Sequence, residues 1–229
     1  MGARSRDEIH AQIGARVNGA GILPVKSPAA AKGRLARDLE PDAHSAIVEA
    51  LLLDALDLCL ATSDLRWWVV SDDGSVLIDA KERGLETLRD SGRGLNAAIE
   101  EGLGAVAREG AQAVVVIPSD VPLAQPDDIH DLLDTGATSD VVLVPSGADG
   151  GTNGLYLHPA DLLKPSFGPS SLQAHLEAAE RAGLRCSVLP LPRLALDIDS
   201  IEDARALVAR PEQAGMSRTE RLLRELLQI

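Results

Sequence analysis

Gln112-Ala-Val-Val-Val-Ile-Pro-Ser-Asp120 is the stretch on which the fold turns. From Ala113 to Ile117 every residue is apolar, so neither face of the strand it forms meets water; a strand covered on both sides belongs inside a parallel sheet. Further short β-rich runs lie on either side of it, at Gly21 to Val25, Arg66 to Ser71, Leu85 to Arg89, Asp140 to Pro145, Leu155 to His158, Cys186 to Leu191 and Leu194 to Ile198. Helix-period stretches separate them. Leu95, Ala98, Ile99, Gly102, Leu103 and Val106 keep the i, i+3, i+4, i+7 spacing of a helix packed on a sheet. Ile47, Ala50, Leu51, Ala55 and Leu58 mark a second helix, and Leu172, His175, Leu176 and Ala179 a third that stops near Gly183. The alternation predicts an α/β fold with a mostly parallel sheet and helices on both faces.

The chain has 229 residues, room for one α/β domain or two small ones, with one as the default. Lys and Arg number 22 against 35 Asp and Glu, a formal charge of −13, the wrong sign for tracking a phosphate backbone. Four aromatic residues, Trp67, Trp68, Tyr156 and Phe167, are too few for a base-stacking platform, so nucleic acid is not an expected partner. No apolar run approaches the roughly 20 residues of a membrane helix, and residues 1–20 lack the apolar stretch of a secretory signal. Cys59 and Cys186 stand far apart, which argues against a disulfide scaffold or zinc site and suits the reducing cytoplasm. The expected organisation is an N-terminal extension over 1–20, one domain over 21–209 and a helical tail over 210–229. The tail, starting at Ser217, is a candidate for homodimer assembly or, equally, a helix lying on its parent domain.

Ligands of an open parallel sheet bind beyond the carboxyl ends of its strands. After the first strand comes Lys26-Ser-Pro-Ala-Ala-Ala-Lys32-Gly-Arg34, three cations in nine residues of an acidic protein. Such a loop would focus a polyanion into the cleft; the bland reading is three solvated charges. It matches neither a Walker loop nor a dinucleotide fingerprint. Asp120 follows the central strand, and Asp197 and Asp199, two apart, present their carboxylates to one side of an extended chain. Carboxylates so grouped repel unless a cation lies between them, which suits magnesium shared with substrate phosphates. For Asp199 the competing role is helix capping beside Ser200, whose spacing to Asp203 forms a capping box. Phe167-Gly-Pro-Ser-Ser171 opens the third helix, where free N–H groups suit a phosphate, and Asp149-Gly-Gly-Thr152-Asn153-Gly154 reads as a turn able to approach one. Asn96, after Ser91-Gly-Arg-Gly94-Leu, either reads a base edge or serves the first turn of its helix.

These pieces, in order, are Leu23-Pro-Val-Lys26, Ala31-Lys32-Gly-Arg34-Leu, Gly94-Leu-Asn96, Pro118-Ser-Asp120-Val-Pro-Leu, Gly151-Thr152-Asn153, Phe167-Gly-Pro-x-Ser171 and Asp197-Ile-Asp199. From about residue 20 to 209 the set resembles the CofC/FbiD-type guanylyltransferases of coenzyme F420 biosynthesis. The resemblance implies a single Rossmann-like nucleotidyltransferase domain that condenses GTP with a phosphorylated three-carbon acid and releases diphosphate. Phosphoenolpyruvate is the expected acid, with 2-phospho-L-lactate and 3-phospho-D-glycerate as the alternatives. It further implies that Asp120, Asp197 and Asp199 hold Mg2+ and that Thr152, Gly168 and Ser171 cradle the phosphate of the acid. Lys26, Lys32 and Arg34 would face the GTP phosphates, with Gly94 and Asn96 at the nucleotide, and Lys26, Lys32, Arg34 and Asp120 as the catalytic set. Ser170 departs from the pattern by standing where glycine is common.

Two competing functions remain at this level. A nucleotidyltransferase for a sugar-phosphate or molybdopterin-type acceptor would ordinarily carry a glycine-rich loop after the first strand, where this chain has Pro24-Val-Lys26-Ser-Pro28. In a non-catalytic nucleotide-sensing module, the carboxylates would only cap helices.

Overall fold

The computed structural model describes residues 18–27, 34–147, 150–211 and 215–228. Seven strands among them form one sheet: β1 Gly19–Pro24, β2 Arg66–Ser71, β3 Glu86–Arg89, β4 Ala113–Val116, β5 Val141–Pro145, β6 Thr152–Leu157 and β7 Cys186–Val188, in the spatial order β3-β2-β1-β4-β6-β5-β7. The helices are α1 Pro41–Ala61, α2 Gly74–Glu82, α3 Leu95–Arg108, α4 Pro126–Gly136, α5 Ser171–Arg181, α6 Ile201–Val208 and α7 Arg218–Leu227. β1 pairs in parallel with β2 and β4, β2 with β3, and β5 with β7. β6 is the exception and runs antiparallel to both β4 and β5, because the connection from β5 is too short for the crossover that parallel pairing needs.

β4 is buried along its whole length, and its alternation divides the core in two. Ala113, Val115 and Ile117 face one cluster with Leu56, Val76 and Ile129 of α1, α2 and α4. Val114 and Val116 face the other, with Ile99 and Leu103 of α3 and Ala179 of α5. Each Val, Leu or Ile among them contributes about 1.5–3 kcal/mol by leaving water. A third cluster joins Leu35, Ile47, Leu51, Ile198, Ile201 and Leu223, gathering α1, α6 and α7 beside the carboxyl end of the sheet. Gly21 of β1 admits the ring of Trp67, since a methyl group there would fall inside the indole.

Two expectations are corrected. Leu194 to Ile198 is not a strand: Pro190 and Pro192 deny the approach its ladder donors, and the segment crosses the end of the sheet, where the Ile198 N–H donates to the Asp120 carbonyl at 2.9 Å. β6 begins at Thr152 and not at Leu155, so Thr152 and Asn153 belong to a strand and not to a flexible turn. Gly154 lies within it because a Cβ there would come to 2.9 Å from the Val144 side chain. The tail helix α7 packs on α1 and α6, with Ser217 as its N-cap. No helix among the described residues is long and apolar enough to cross a membrane.

Candidate functional site

β1 sends its chain toward β2, while β4 lies on its other side, so the sheet has its switch point between β1 and β4, where a crevice opens at the carboxyl ends. A cleft of about 320 Å3 occupies that place. Because β6 runs backward, its first residues, Thr152 and Asn153, stand at the same end of the sheet as the last residues of β4. The polar wall is formed by Lys26, Arg34, Asp120, Thr152, Asp197 and Asp199, and the apolar wall by Val48, Leu51 and Leu52 of α1 with Leu95 and Phe167.

Asp120, Asp197 and Asp199 each bring one carboxylate oxygen to within 4.8 Å of the others. Two elements that the chain separates by more than seventy residues are tied together for this by the bond from Ile198 N–H to the Asp120 carbonyl. Asp197 is held on its other side by Asn153, whose Nδ2 donates to Asp197 Oδ1 at 3.0 Å and to the Leu194 carbonyl at 2.8 Å. Burial pushes the Asp197 carboxyl above the usual carboxylate range, the Asn153 amide opposes this, and the charges of Asp120 and Asp199 push the same way as burial. Arg34 meets Asp199 at 2.7 Å. The capping of α6 belongs to Ser200 and Asp203, which leaves the Asp199 carboxylate turned to the cleft. Three converging oxygen donors, one of them desolvated and all repelling one another, have the chemistry of a site for a hard divalent cation.

Opposite lies the mouth of α5. Gly168 has φ +133°, closed to L side chains, and Ser170, the N-cap of α5, has φ +58°, which explains why glycine suits that position. Gly168 and Pro169 line the cleft. Ser171 stands behind Thr152 and donates to Thr152 Oγ1 at 3.1 Å. Lys26 is exposed on the wall, whereas Lys32 and Asp149 lie outside the described residues. Gly94 and Asn96 flank Leu95 without themselves lining the cleft. Gly94 caps α3 with φ +97°. Asn96 clamps the approach to α5: its Nδ2 donates to the Phe167 carbonyl at 2.9 Å and its Oδ1 accepts from the Phe167 N–H at 2.6 Å. The amide engages backbone across the cleft mouth, a use that the sequence did not suggest.

Sequence reasoning missed three contributors. Asn153 was visible only as a member of the Gly151-Thr152-Asn153 run. His175 sits on an apolar helical stripe that reads as packing, yet it is fully buried with Nδ1 at 3.1 Å from Thr152 Oγ1. Val48, Leu51 and Leu52 lie on a helix whose apolar face reads as core, and nothing local marks this stretch as the wall of a cleft.

The family described as "Guanylyl transferase CofC like" matches residues 20–226, which includes α7. A phosphoenolpyruvate guanylyltransferase of Rubrobacter xylanophilus is 40% identical over 195 residues, 85% of this chain and 93% of its own length. A 3-phospho-D-glycerate guanylyltransferase of Phenylobacterium zucineum is 36% identical over 188 residues, covering 80% of this chain and 86% of its own. Among solved structures, a nucleotidyl transferase from Methanothermobacter thermautotrophicus superposes with a TM-score of 0.62 at 16% identity, over 91% of this chain and 99% of that one; it speaks for the fold alone. With a nucleotidyltransferase-like sheet, a carboxylate trio at its switch point and a match along almost its whole length, the chain belongs to the CofC-like guanylyl transferase family.

Proposed function

We propose that this protein joins GTP to a small phosphorylated three-carbon acid, phosphoenolpyruvate before 2-phospho-L-lactate or 3-phospho-D-glycerate, and releases diphosphate, as a cytoplasmic step of coenzyme F420 biosynthesis. The observation that carries the proposal is the convergence of Asp120, Asp197 and Asp199 within 4.8 Å in one cleft with Thr152 and Gly168. Relatives at 36–40% identity named for phosphoenolpyruvate and 3-phospho-D-glycerate support the acid class.

In this mechanism a phosphate oxygen of the acid attacks the α-phosphorus of GTP. The new P–O bond forms as the bond to diphosphate breaks, so no protein nucleophile is required. Thr152 and Gly168 hold the acid's phosphate with donors, and Ser171 supports Thr152 from behind. Lys26 and Arg34, with Lys32, face the nucleotide phosphates and offset the charge gathered there. Asp120, Asp197 and Asp199 would hold a magnesium ion, which would supply further neutralisation of charge on the transferring and leaving phosphates. Arg34 leaves Asp199 for the phosphates as the substrates enter. Leu51 and Leu52 of α1, with Leu95, give the cleft an apolar side, beside which ionic contacts are stronger than in water.

The test is a matrix of the three acids against GTP, ATP, CTP and UTP, with mass detection of the joined product and assay of diphosphate. The expected result is magnesium-dependent diphosphate release with GTP and phosphoenolpyruvate. Preference for another nucleotide, or nucleotide binding with no diphosphate released, overturns it.

A further inference from the structure

Behind the cleft wall, Thr152, Ser166, Ser171 and His175 form a closed hydrogen-bonded set. His175 has no exposed surface. The Ser166 backbone N–H donates to His175 Nε2 at 2.9 Å, so that nitrogen carries no proton and the neutral ring holds its proton on Nδ1. Nδ1 lies 3.1 Å from Thr152 Oγ1 and reaches it as a donor. The Ser171 hydroxyl donates to the same oxygen at 3.1 Å. A hydroxyl has two acceptor positions and one proton. With both acceptor positions filled from behind, the Thr152 proton has neither partner to turn to, and Thr152 lies on the cleft wall.

We propose that His175 is a positioning residue for the acid substrate: by donating from Nδ1 it commits Thr152 to present its hydroxyl proton, and no lone pair, to the phosphate in the cleft. The inference rests on the function proposed above. A phosphate offers only acceptors at neutral pH, so a hydroxyl free to rotate would meet it part of the time with a repelling lone pair. The committed donor removes that orientation. The surroundings keep the ring in one form. Phe167 packs edge-on against it, centroids 5.4 Å apart at 74°, and burial depresses its pKa to about 4. A protonated ring would set a second N–H against that of Ser166.

Two variants separate this role from simple packing. Glutamine reaches the Nε2 position and keeps an acceptor for Ser166 while losing the donor to Thr152. Asparagine reaches the Nδ1 position and keeps that donor. His175→Gln is expected to raise KM for phosphoenolpyruvate roughly tenfold to a hundredfold, the worth of a hydrogen bond to a charged group. KM for GTP and kcat should stay within about twofold, and His175→Asn should recover most of the loss. In a Thr152→Val background, His175→Gln should add nothing further. Imidazole nitrogen shifts in the wild type should show Nδ1 protonated and Nε2 bare, a reading that stands even where a variant fails to fold.

Calorimetry with phosphoenolpyruvate, with and without a non-reacting GTP analogue, reads the acid site apart from turnover. Wild-type protein that binds the acid with His175-dependent affinity yet never transfers it to GTP overturns the proposed function and leaves the role of His175 standing. An Nε2-protonated ring, a folded His175→Gln protein with wild-type KM and affinity, or no binding of the acid by the wild type overturns the role of His175.

Discussion

At Asp197 burial and function pull against each other. The carboxyl is partly desolvated and faces two like charges, and the Asn153 amide is the neutral donor that holds it in place. Asp197→Asn retains an oxygen for that amide, so we expect stability within about 1 kcal/mol of the parent but turnover lower by about a hundredfold or more, the scale of losing one preorganised electrostatic contact. Thermal denaturation beside a diphosphate-release assay checks both. His175 makes a prediction of opposite character. Its folded pKa, about 4, lies below the ordinary 6.5, so below pH 6.5 the unfolded chain binds the proton that the folded one refuses. Its share of stability is complete above pH 6.5, declines by about 1.4 kcal/mol per pH unit toward pH 4, and levels off there, roughly 3 kcal/mol in all. Urea titrations across that range should show this slope in the difference between the wild type and His175→Gln, which itself lacks the group. Asp120 was legible in the sequence because it follows the central strand, and Asp197 and Asp199 because two carboxylates two residues apart on an extended chain share one side. His175 was not, since a histidine on an apolar stripe looks the same whether it packs or directs a proton.

Elements owe their boundaries to partners that sequence spacing cannot reveal. Ser217 as the cap of α7 was readable, and the Glu220 N–H donates to its hydroxyl at 3.0 Å. The second anchor was not readable. Asp54, on α1, accepts from the Arg218 and Thr219 N–H groups at 2.9 Å each, and Arg218 also meets Asp57. A carboxylate from one helix thus closes the positive end of another. Asp54→Ala should cost about 2 kcal/mol in denaturant titration. At α5 the left-handed Ser170, φ +58°, carries a backbone penalty of about 1–2 kcal/mol that glycine escapes, offset by about 0.5–1 kcal/mol of lost chain entropy. Ser170→Gly should therefore leave the melting midpoint unchanged or raise it by a few degrees. The direction of β6 was hidden for a related reason: an apolar strand reads alike in both directions, and only its pairing with β4 and β5 decides.

For the molecule as a whole, the alternation of runs was enough to foresee a two-sided sheet, because an all-apolar strand such as β4 has no other stable home. The proline-flanked segment before Asp197 was misread as a strand because its β-rich composition is the same whether or not a neighbour waits. The cluster of Leu35, Leu51, Ile198 and Leu223 links the tail to the cleft, since Leu51 also lines the cleft and Ile198 lies between two of the carboxylates. Leu223, 1% exposed, should cost about 2–5 kcal/mol when cut to alanine. Unfolding should stay a single transition by both fluorescence and circular dichroism; a separate early melting of α7 would show that the tail is an independent unit.

The margins of the sheet carry a last consequence. β7 has three residues and β3 four, and on β3 Glu86 is engaged by Arg66 at 2.7 Å. Short rims, the β3 one bearing charge, give an incoming chain few rungs to climb, and a net charge of −13 sets copies of the chain against one another. The same architecture that concentrates ionic chemistry in its middle is thereby guarded at its borders against the slow polymerisation to which open sheets are prone.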